Sequence, residues 1–511
     1  MTTKKSTSPP PPPSGPSSCL RDESRLEGFA SEIKNPADHR TFLDLARKCL
    51  ARGEPMTFQG ARTGLAGGAV PQGGTAVGLG ALDRPVALEK GPGGFELLVQ
   101  PGYTLAALRR DLARRKFDFI SPGRASRAEK VLAEFQRGSY FWPPDPGEAA
   151  ATLGGAASTN AAGPNAGFRG PAGGHIAGLN FLFSDGEERP VRRGEHVFRE
   201  GALRLPDGRT LEADPRALGL PPTADLTDIL IGSQGMYGAV TGVRLRLSPA
   251  PAHVWGLVFF AGSEQRAAAF MELFLDSPPE PLVSLDYLDK ASLDVVAEMR
   301  GKASRLAEIP DLPGTARGAV LAEFQSMDEG LIEQASLAAL RFCQEAGLDP
   351  DDSWALTDAE TDKMRMLRHA VPEGLGGRLD RVRAQGFPAL RTSTDFTVPG
   401  RGLGELLSEY RRDLEGGGLP AVVYGHAKDN HLHVNVIPEN DGQVARAGEL
   451  ARHWLERAKK ARGGLFVEHG VGKLRRELFL EAESPERIAA LRSLKKTLDP
   501  NNLFNPGNMF A

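Results

Sequence analysis

Three glycine-rich segments in the first half of the chain constrain the fold more than any other feature. Glycine makes up 60 of the 511 residues, against a usual share of about 7%, and the excess lies between residues 60 and 240. The segments are Gly60–Gly68, Gly154–Gly163 and Gly232–Gly235. Because glycine lets the backbone approach another group closely, we expect tight contacts here, either with another strand or with a bound flat molecule.

The first segment follows a short predicted strand, Pro55–Phe58. Its successive backbone N–H groups can form an anion-binding concavity suited to a pyrophosphate, although it has neither the GxGxxG nor the GxxxxGK[ST] pattern. In the second segment Ser158, Thr159 and Asn160 offer hydrogen-bond donors to the polar edge of a ring. Close packing alone explains one such segment, but the three together favour a bound dinucleotide.

A cluster of histidines marks the second half of the chain. Four of the ten histidines lie in two short stretches: His426, His431, His433 and His469. His431 and His433 point to the same face of a predicted strand, and His426 precedes them on a predicted turn opened by Gly425. Glu468 adds an oxygen ligand. The cluster favours a metal-assisted acid/base site over ordinary histidines that happen to be neighbours.

Length and composition exclude several classes of protein. A chain of 511 residues is too long for one hydrophobic core, so two or three domains are expected. The net charge of −3 disfavours a general nucleic-acid-binding surface, and no apolar run reaches the ~18 residues that a membrane span needs. Cys19, Cys49 and Cys343 lie far apart, which disfavours an iron–sulfur motif or a disulfide framework and indicates a reducing compartment.

The pattern along the chain divides it into regions. Residues 1–20 form a Pro/Ser-rich tail that we expect to be disordered, and the glycine-rich region continues to about residue 250. Residues 124–141 are charged, helix-like and resemble an insertion. Ile229–Thr241 is predicted as strand–turn–strand, and Pro485–Leu498 as a helix.

Seven segments, in order, resemble the FAD-linked oxidoreductases of the vanillyl-alcohol-oxidase type, which have the PCMH fold. Within that family the resemblance is to the group that contains the flavin-binding chain of glycolate oxidase, D-lactate dehydrogenase and D-2-hydroxyglutarate dehydrogenase, over about residues 22–511. The segments are Gly60–Gly68, Pro144–Pro146 with Gly154–Gly163, Asp225–Asp228 with Gly232–Thr241, Asp395–Pro399, Gly425–His433, Glu468–Gly470 and Asn505–Gly507.

The resemblance implies an α+β fold. A PCMH-type FAD-binding domain of two subdomains would span residues 21–250. A cap domain, with an antiparallel sheet flanked by helices, would span residues 251–475 and cover the flavin. Residues 476–511 would return to the FAD-binding domain.

The resemblance also implies which residues hold FAD. The bond to FAD is expected to be non-covalent, because no histidine or cysteine matches the family's covalent attachment sites. The residues implied to line FAD are Gly60, Ala61, Arg62, Thr63, Gly64, Leu65, Pro144, Gly154, Gly155, Ser158, Asn160, Gly163, Gly232, Ser233, Gly235, Gly238, Val240 and Asn505.

Five further residues match the catalytic and metal-binding positions of the group. His426, His433 and Glu468 match the ligands of a divalent metal, with zinc expected, and His469 matches the catalytic base. Arg368 matches the arginine that binds the substrate carboxylate, a task suited to its bidentate guanidinium. For Arg368 taken alone, a surface salt bridge is the alternative.

The chain departs from D-2-hydroxyglutarate dehydrogenase at two substrate-binding positions. Ser393 stands where that enzyme has a lysine, and Pro372 stands where it has a threonine. Binding of a second carboxylate is therefore left open. Arg381, Arg383 or Arg391 can compensate, and spacing does not choose among them.

Together these features predict a dehydrogenase that uses FAD and a divalent metal to oxidise a D-2-hydroxy acid to a 2-keto acid. Its electrons would pass to an external acceptor: a flavoprotein, a cytochrome, a quinone or an iron–sulfur subunit. The expected location is the cytoplasm or the surface of a membrane to which a partner attaches the protein. Whether the protein forms a homodimer is left open. The alternatives are a metal-independent flavin oxidase of alcohols or phenols, and a non-catalytic flavin electron-transfer subunit.

Overall fold

The structure, a computed structural model, describes residues 17–120 and 125–510. Most of the predicted tail and the start of the predicted insertion therefore lie outside the described residues. Ser17–Leu20, which the sequence assigned to the tail, form one 3-10 turn in which Cys19 is buried. Within the described residues, no helix combines the length and the apolar character needed to cross a membrane.

A small parallel sheet opens the glycine-rich half. Its strands run in the order β1-β3-β2, and its elements are β1 (Glu32–Lys34), α1 (His39–Arg52), β2 (Met56–Gln59) and β3 (Thr75–Gly78). The side chain of Asp38 caps α1 by accepting a hydrogen bond from Thr41 N, and Gly53 ends the helix in the left-handed conformation. The buried face of α1 packs on the sheet through Phe42 and Ala46.

A larger antiparallel sheet completes this half, in the order β4-β5-β11-β7-β8, with β6 on β11. The elements of this part of the chain are β4 (Pro85–Gly91), β5 (Gly94–Val99), α2 (Leu105–Arg114), α3 (Ala125–Phe135), β6 (Tyr140–Phe141), α4 (Leu153–Thr159), α5 (Ala166–Arg169), β7 (Ile176–Leu182), β8 (Glu188–Arg192), β9 (Ala202–Arg204), β10 (Thr210–Glu212), α6 (Leu226–Leu230) and β11 (Ala239–Pro249). Strands β9 and β10 pair with each other in a separate two-stranded sheet. The segment predicted as an insertion contributes to the core, because buried Phe135 packs against Phe95 at 5.4 Å and Tyr140 at 5.0 Å between ring centroids.

The strand–turn–strand predicted for Ile229–Thr241 is wrong in its first part. Leu226–Leu230 form a helix, because Asp225 and Asp228 make reciprocal hydrogen bonds with each other's backbone at its first turn. A short apolar run does not distinguish one buried helical turn from a buried strand. The second part is a strand, β11, as predicted.

One antiparallel sheet of seven strands organises the second half, in the order β15-β12-β14-β13-β17-β18-β16. Its elements are β12 (His253–Ala261), α7 (Glu264–Asp276), β13 (Leu282–Asp289), α8 (Lys290–Arg300), β14 (Gly318–Ser326), α9 (Glu329–Glu345), β15 (Trp354–Thr357), α10 (Thr361–Ala384), β16 (Thr392–Ser393), α11 (Leu403–Gly417), β17 (Ala421–His426), β18 (His431–Val436) and α12 (Asp441–Lys460).

Helices cover both faces of this sheet. On β14, Val320 and Phe324 pack towards α7 and α9, whereas Leu321 packs towards α8 and α10, as the two-residue period of a strand requires. A sheet covered on both faces explains why β13 and β18 are buried at every position rather than at alternate ones. The α+β class, with an antiparallel sheet flanked by helices in the second half, is therefore confirmed.

The last elements, α13 (Arg476–Ala482) and α14 (Pro485–Leu498), bring the chain back to the glycine-rich half. The backbone N–H of Asn505 donates to Met56 O at 2.8 Å. Its side chain accepts from Phe58 N at 2.8 Å and donates to Gln234 O at 3.0 Å. The buried Lys495 ammonium donates to the Asp499 carboxylate at 2.7 Å. The four-part division of the chain made from the sequence stays a prediction.

Candidate functional site

A cavity of about 1190 Å³ lies between the glycine-rich half and the seven-stranded sheet. Its size exceeds that of most small-molecule pockets, so it has room for a dinucleotide together with a small substrate. Many predicted site residues line it: Gly60, Ala61, Arg62, Thr63, Gly64, Leu65, Gly154, Gly155, Ser158, Gly235, Gly238, Val240, Arg368, His426, His433, Glu468, His469 and Asn505.

Five residues predicted to bind FAD do not line this cavity: Pro144, Asn160, Gly163, Gly232 and Ser233. Asn160 caps the end of α4 in the left-handed conformation, and its side chain accepts from Gly173 N at 2.8 Å. A Cβ on Gly163 would lie 1.9 Å from Asp145 O. Asn160 and Gly163 therefore stabilise the backbone next to the cavity, and a contact of these five residues with FAD stays a prediction.

The loop Gly60–Leu65 and the segment around Gly235 need glycine for steric reasons. A Cβ on Gly60 would lie 2.3 Å from Thr152 Oγ1, so the loop could not approach the start of α4 with any larger residue. Gly235 has φ +74°, and a Cβ there would lie 2.6 Å from Asn505 Nδ2. This cavity-lining, glycine-dependent backbone is compatible with a bound FAD, whose phosphates the N–H groups of the loop would bind.

Two histidines and one glutamate converge at the other side of the cavity. Glu468 Oε2 lies 3.1 Å from His433 Nε2 and 3.4 Å from His426 Nε2. Donor atoms bound ~2.0–2.1 Å from a tetrahedral zinc ion are ~3.3–3.4 Å apart. Both spacings to Glu468 Oε2 are therefore compatible with a divalent metal. His426 Nε2 is buried and, among the described residues, makes no hydrogen bond of its own.

The other nitrogen of each histidine is held by an oxygen. His426 Nδ1 lies 2.6 Å from Asp286 Oδ1, and His433 Nδ1 lies 3.1 Å from the Thr394 carbonyl oxygen. With a proton on each Nδ1, both Nε2 atoms are free to bind a metal. Burial lowers the pKa of His426, but the Asp286 and Glu468 carboxylates outweigh it and raise that pKa to about 10.

The local structure differs from the sequence prediction at His426. His426 is the last residue of β17 rather than part of the turn, and it pairs directly with His431, the first residue of β18. His431 lies close to the three ligands but does not line the cavity. Its Nε2 lies 3.1 Å from Asp395 Oδ1, which indicates a supporting position.

Asp395 organises the segment that carries Glu468 and His469. Its carboxylate accepts from the backbone N–H groups of both residues, at 3.0 and 2.9 Å, and from Arg475 Nη1 at 2.6 Å. Burial opposes its charge, but His469 and Arg475 hold the pKa of Asp395 well below its usual range. Burial lowers the pKa of His469 to about 3, so its imidazole is neutral near pH 7 and able to accept a proton.

Arg368 is buried, with 8% of its surface exposed, so the surface salt bridge considered from the sequence is wrong. From α10 its Nη1 donates to Asp286 Oδ2 at 3.1 Å, and its Nη2 lies 3.6 Å from Asp145 Oδ2. Nη2 is buried without a hydrogen-bond partner among the described residues. Arg368 therefore has a donor available for an anion in the cavity.

Asp286 is the main residue that the sequence did not reveal. It connects His426 with Arg368, yet it lies 140 positions before the histidine. It meets His426 only because β13 and β17 pair in antiparallel register, Asp286 opposite His426. No local pattern signals such a contact.

Comparisons with known proteins place the chain among relatives of known name. The chain is 26% identical to a D-lactate dehydrogenase of Anaerostipes hadrus over 468 residues, covering 89% of this chain and 84% of that one. It is 27% identical to a D-2-hydroxyglutarate dehydrogenase of Xanthomonas citri pv. viticola over 477 residues, covering 88% of this chain and 83% of that one.

Among solved structures, alkyldihydroxyacetonephosphate synthase superposes with a TM-score of 0.61 at 14% identity, covering 94% of this chain and 76% of that one. At that identity the likeness shows the fold alone. Residues 250–509 match the family described as FAD linked oxidases, C-terminal domain. The chain therefore belongs to the FAD-linked oxidases and is an FAD-linked oxidoreductase.

Proposed function

We propose that the protein is an FAD-dependent dehydrogenase that oxidises a D-2-hydroxy acid to a 2-keto acid with the help of a divalent metal, zinc being the first candidate. The observation that carries the proposal is the spacing of His426 Nε2, His433 Nε2 and Glu468 Oε2 on the wall of the FAD cavity. Two imidazoles and one carboxylate, with a fourth position free, are typical of catalytic zinc sites. The names of the relatives support the hydroxy-acid substrate.

The chain's own residues divide the remaining work. When bound, FAD supplies a two-electron acceptor and the metal supplies a Lewis acid that makes a nearby hydroxyl more acidic. Arg368 would bind the substrate carboxylate through Nη2. His469, neutral in its buried position, would take the proton of the substrate hydroxyl. Asp395 holds the His469 backbone and, with Arg475 beside the ring, fixes the direction of the imidazole.

Electrons must then leave for an acceptor outside the chain. Cys19, Cys49 and Cys343 are buried and separate, so the three thiols do not form a ligand set for an iron–sulfur cluster. A flavoprotein, cytochrome, quinone or iron–sulfur subunit would accept the electrons. A non-covalent FAD, a cytoplasmic location or attachment to a membrane through a partner, and a homodimer belong to the same proposal.

An anaerobic substrate screen tests the proposed function. Purified protein loaded with FAD and zinc is mixed with D-lactate, L-lactate, glycolate or D-2-hydroxyglutarate, and bleaching of the visible flavin band is followed with and without a chelator. We expect at least one D-2-hydroxy acid to bleach the flavin, and the chelator to slow that bleaching strongly. Bleaching that the chelator leaves unchanged would favour the metal-independent oxidase, and no bleaching would favour the electron-transfer subunit.

A further inference from the structure

Arg391 is a cation of the cavity wall for which the described part of the chain provides no partner. It immediately precedes β16, lines the cavity and is partly buried. Across residues 17–120 and 125–510, no carboxylate lies within 4.0 Å of its guanidinium and no group hydrogen-bonds to it. An unpaired charge removed from water is costly, so a partner from outside the chain is expected.

The charged groups around Arg391 do not neutralise it. Arg475, Arg25 and Glu23 lie within electrostatic reach. The Glu23 carboxylate binds Arg25 at 2.6 Å, and Arg25 also binds Asp380 at 2.8 Å. These neighbours therefore balance one another and leave a local excess of positive charge at Arg391.

The next carboxylate along the chain, four residues after Arg391, is also occupied. Asp395 accepts from Arg475 at 2.6 Å, from His431 and from two backbone N–H groups. Burial lowers the pKa of Arg391 itself, which agrees with a guanidinium that has lost water without gaining a carboxylate. The excess positive charge therefore faces the cavity.

Two other arginines considered from the sequence are engaged elsewhere. Arg381 Nη2 binds Glu298 at 2.8 Å on the outside of α10, and Arg383 Nη2 binds Glu27 at 2.9 Å. Neither residue lines the cavity. Of the three arginines, Arg391 alone lines the cavity.

Arg391 is separated from the proposed metal site by one side chain. Tyr424 on β17 pairs with His433 on β18, and their ring centroids lie 5.5 Å apart. Tyr424 also lines the cavity, and its phenol is within electrostatic reach of Arg391. In the described residues its hydroxyl makes no hydrogen bond. Arg391 and Tyr424 thus offer two unused donors to the same cavity that Arg368 and the candidate metal ligands line.

From this arrangement we infer that Arg391, assisted by Tyr424, binds a second carboxylate of the substrate. The substrate class would then be 2-hydroxy dicarboxylic acids, with one carboxylate on Arg368 and the other on Arg391. The inference rests on the proposed function, since it concerns the same substrate pocket. The FAD pyrophosphate is the competing anion, but the glycine-rich loop that faces it carries its own cavity-lining arginine, Arg62.

The test compares D-malate and D-2-hydroxyglutarate with D-lactate and glycolate in anaerobic flavin reduction by the full-length holoenzyme. The variants are Arg391→Gln and Arg391→Lys, and Arg381→Gln serves as the control because its ion pair lies outside the cavity. For the wild type we expect a dicarboxylic acid to bind at least about tenfold more tightly than D-lactate. Arg391→Gln should weaken that binding about 10- to 100-fold, the range of a charge-assisted hydrogen bond.

The same variant should change binding of D-lactate by less than about threefold, Arg391→Lys should keep part of the preference, and Arg381→Gln should match the wild type. Equal use of D-lactate and the dicarboxylic acids by the wild type would overturn the inference while leaving the proposed function intact. The inference would also be overturned if the Arg391→Gln variant released FAD but kept the substrate preference of the wild type. If Arg391→Gln does not fold, the wild-type panel and Arg391→Lys decide. Bleaching by none of the acids would refute the proposed function and this inference together.

Discussion

Replacement of Asp286 by asparagine tests whether one buried carboxylate positions both the metal ligand and the substrate-binding arginine. Asp286 is 2% exposed and accepts from His426 Nδ1 at 2.6 Å and from Arg368 Nη1 at 3.1 Å. Asparagine keeps the shape but offers a single acceptor oxygen. One of the two partners must therefore face an N–H₂ group, which cannot accept its proton.

The magnitude follows from the bonds that are lost. A hydrogen bond to a charged group contributes about 1.5–3 kcal/mol, and 1.4 kcal/mol corresponds to a factor of ten in affinity. Loss of the bond that orients a metal-binding histidine typically weakens metal binding about 10- to 100-fold. We therefore expect Asp286→Asn to bind zinc about 10- to 100-fold more weakly and to raise the apparent dissociation constant of the 2-hydroxy acid.

The assay is a zinc titration by calorimetry against a competing chelator, combined with substrate titration of the loaded protein. Thermal unfolding of the metal-free protein separates a loss of stability from a loss of affinity. Asp294→Asn is the matched control, because Asp294 pairs with Lys290 at the surface, where such a pair contributes about 0–1 kcal/mol. Zinc and substrate affinities within about threefold of the wild type in Asp286→Asn, or a wild type that binds no divalent metal, would refute the reasoning.

Four further outcomes are expected. Glu468→Gln should reduce the bound metal, measured by elemental analysis, while the flavin spectrum is kept. His469→Asn should slow flavin reduction about 10²- to 10⁴-fold, as expected for loss of a general base, with metal and FAD retained; a loss of FAD instead would contradict its assigned role. Gly235 has φ +74°, and a Cβ there would contact Asn505. Gly235→Ala should therefore cost about 1–3 kcal/mol of stability and reduce FAD retention. The control Gly314→Ala, whose Cβ would have no atom nearby, should change neither. Asp145→Asn should destabilise the protein at pH 7. Burial raises the pKa of Asp145, but Arg109 and Arg368 hold that pKa well below its usual range in the folded protein. The stability that the Asp145 carboxylate contributes is therefore complete above pH ~4 and is lost as the pH falls through the lowered folded-state pKa. Denaturant unfolding at both ends of that range would show a difference that shrinks in acid, and a constant difference would contradict it.

Local patterns sufficed for much of the fold. The helix predicted for Pro485–Leu498 has those limits in the structure, since Ser484 caps it and proline occupies its first position. The strand that carries His431 and His433 was predicted by alternation and is present as β18. Both signals act over a few residues, so the sequence displays them directly.

The candidate site was only partly predictable, because several of its contacts join distant parts of the chain. Asp286 meets His426 through strand pairing, and Asp145 approaches Arg368 across 223 positions. Arg391 could be separated from Arg381 and Arg383 only when their ion pairs were known. Asn160 matches a cofactor-binding position by sequence, and only the structure shows that it also ends α4 in the left-handed conformation and accepts a hydrogen bond from Gly173 N.

The return of the C-terminal segment to the glycine-rich half has a consequence for biosynthesis. Asn505 lines the cavity and hydrogen-bonds both to β2 and to Gln234. A nascent chain whose residue 505 is still inside the ribosome therefore lacks one wall residue of the proposed FAD site. Flavin should therefore be captured only after residue 505 has left the ribosome. A polypeptide that terminates before residue 503 is expected to emerge as a pale, protease-sensitive product even if every upstream element has been synthesised.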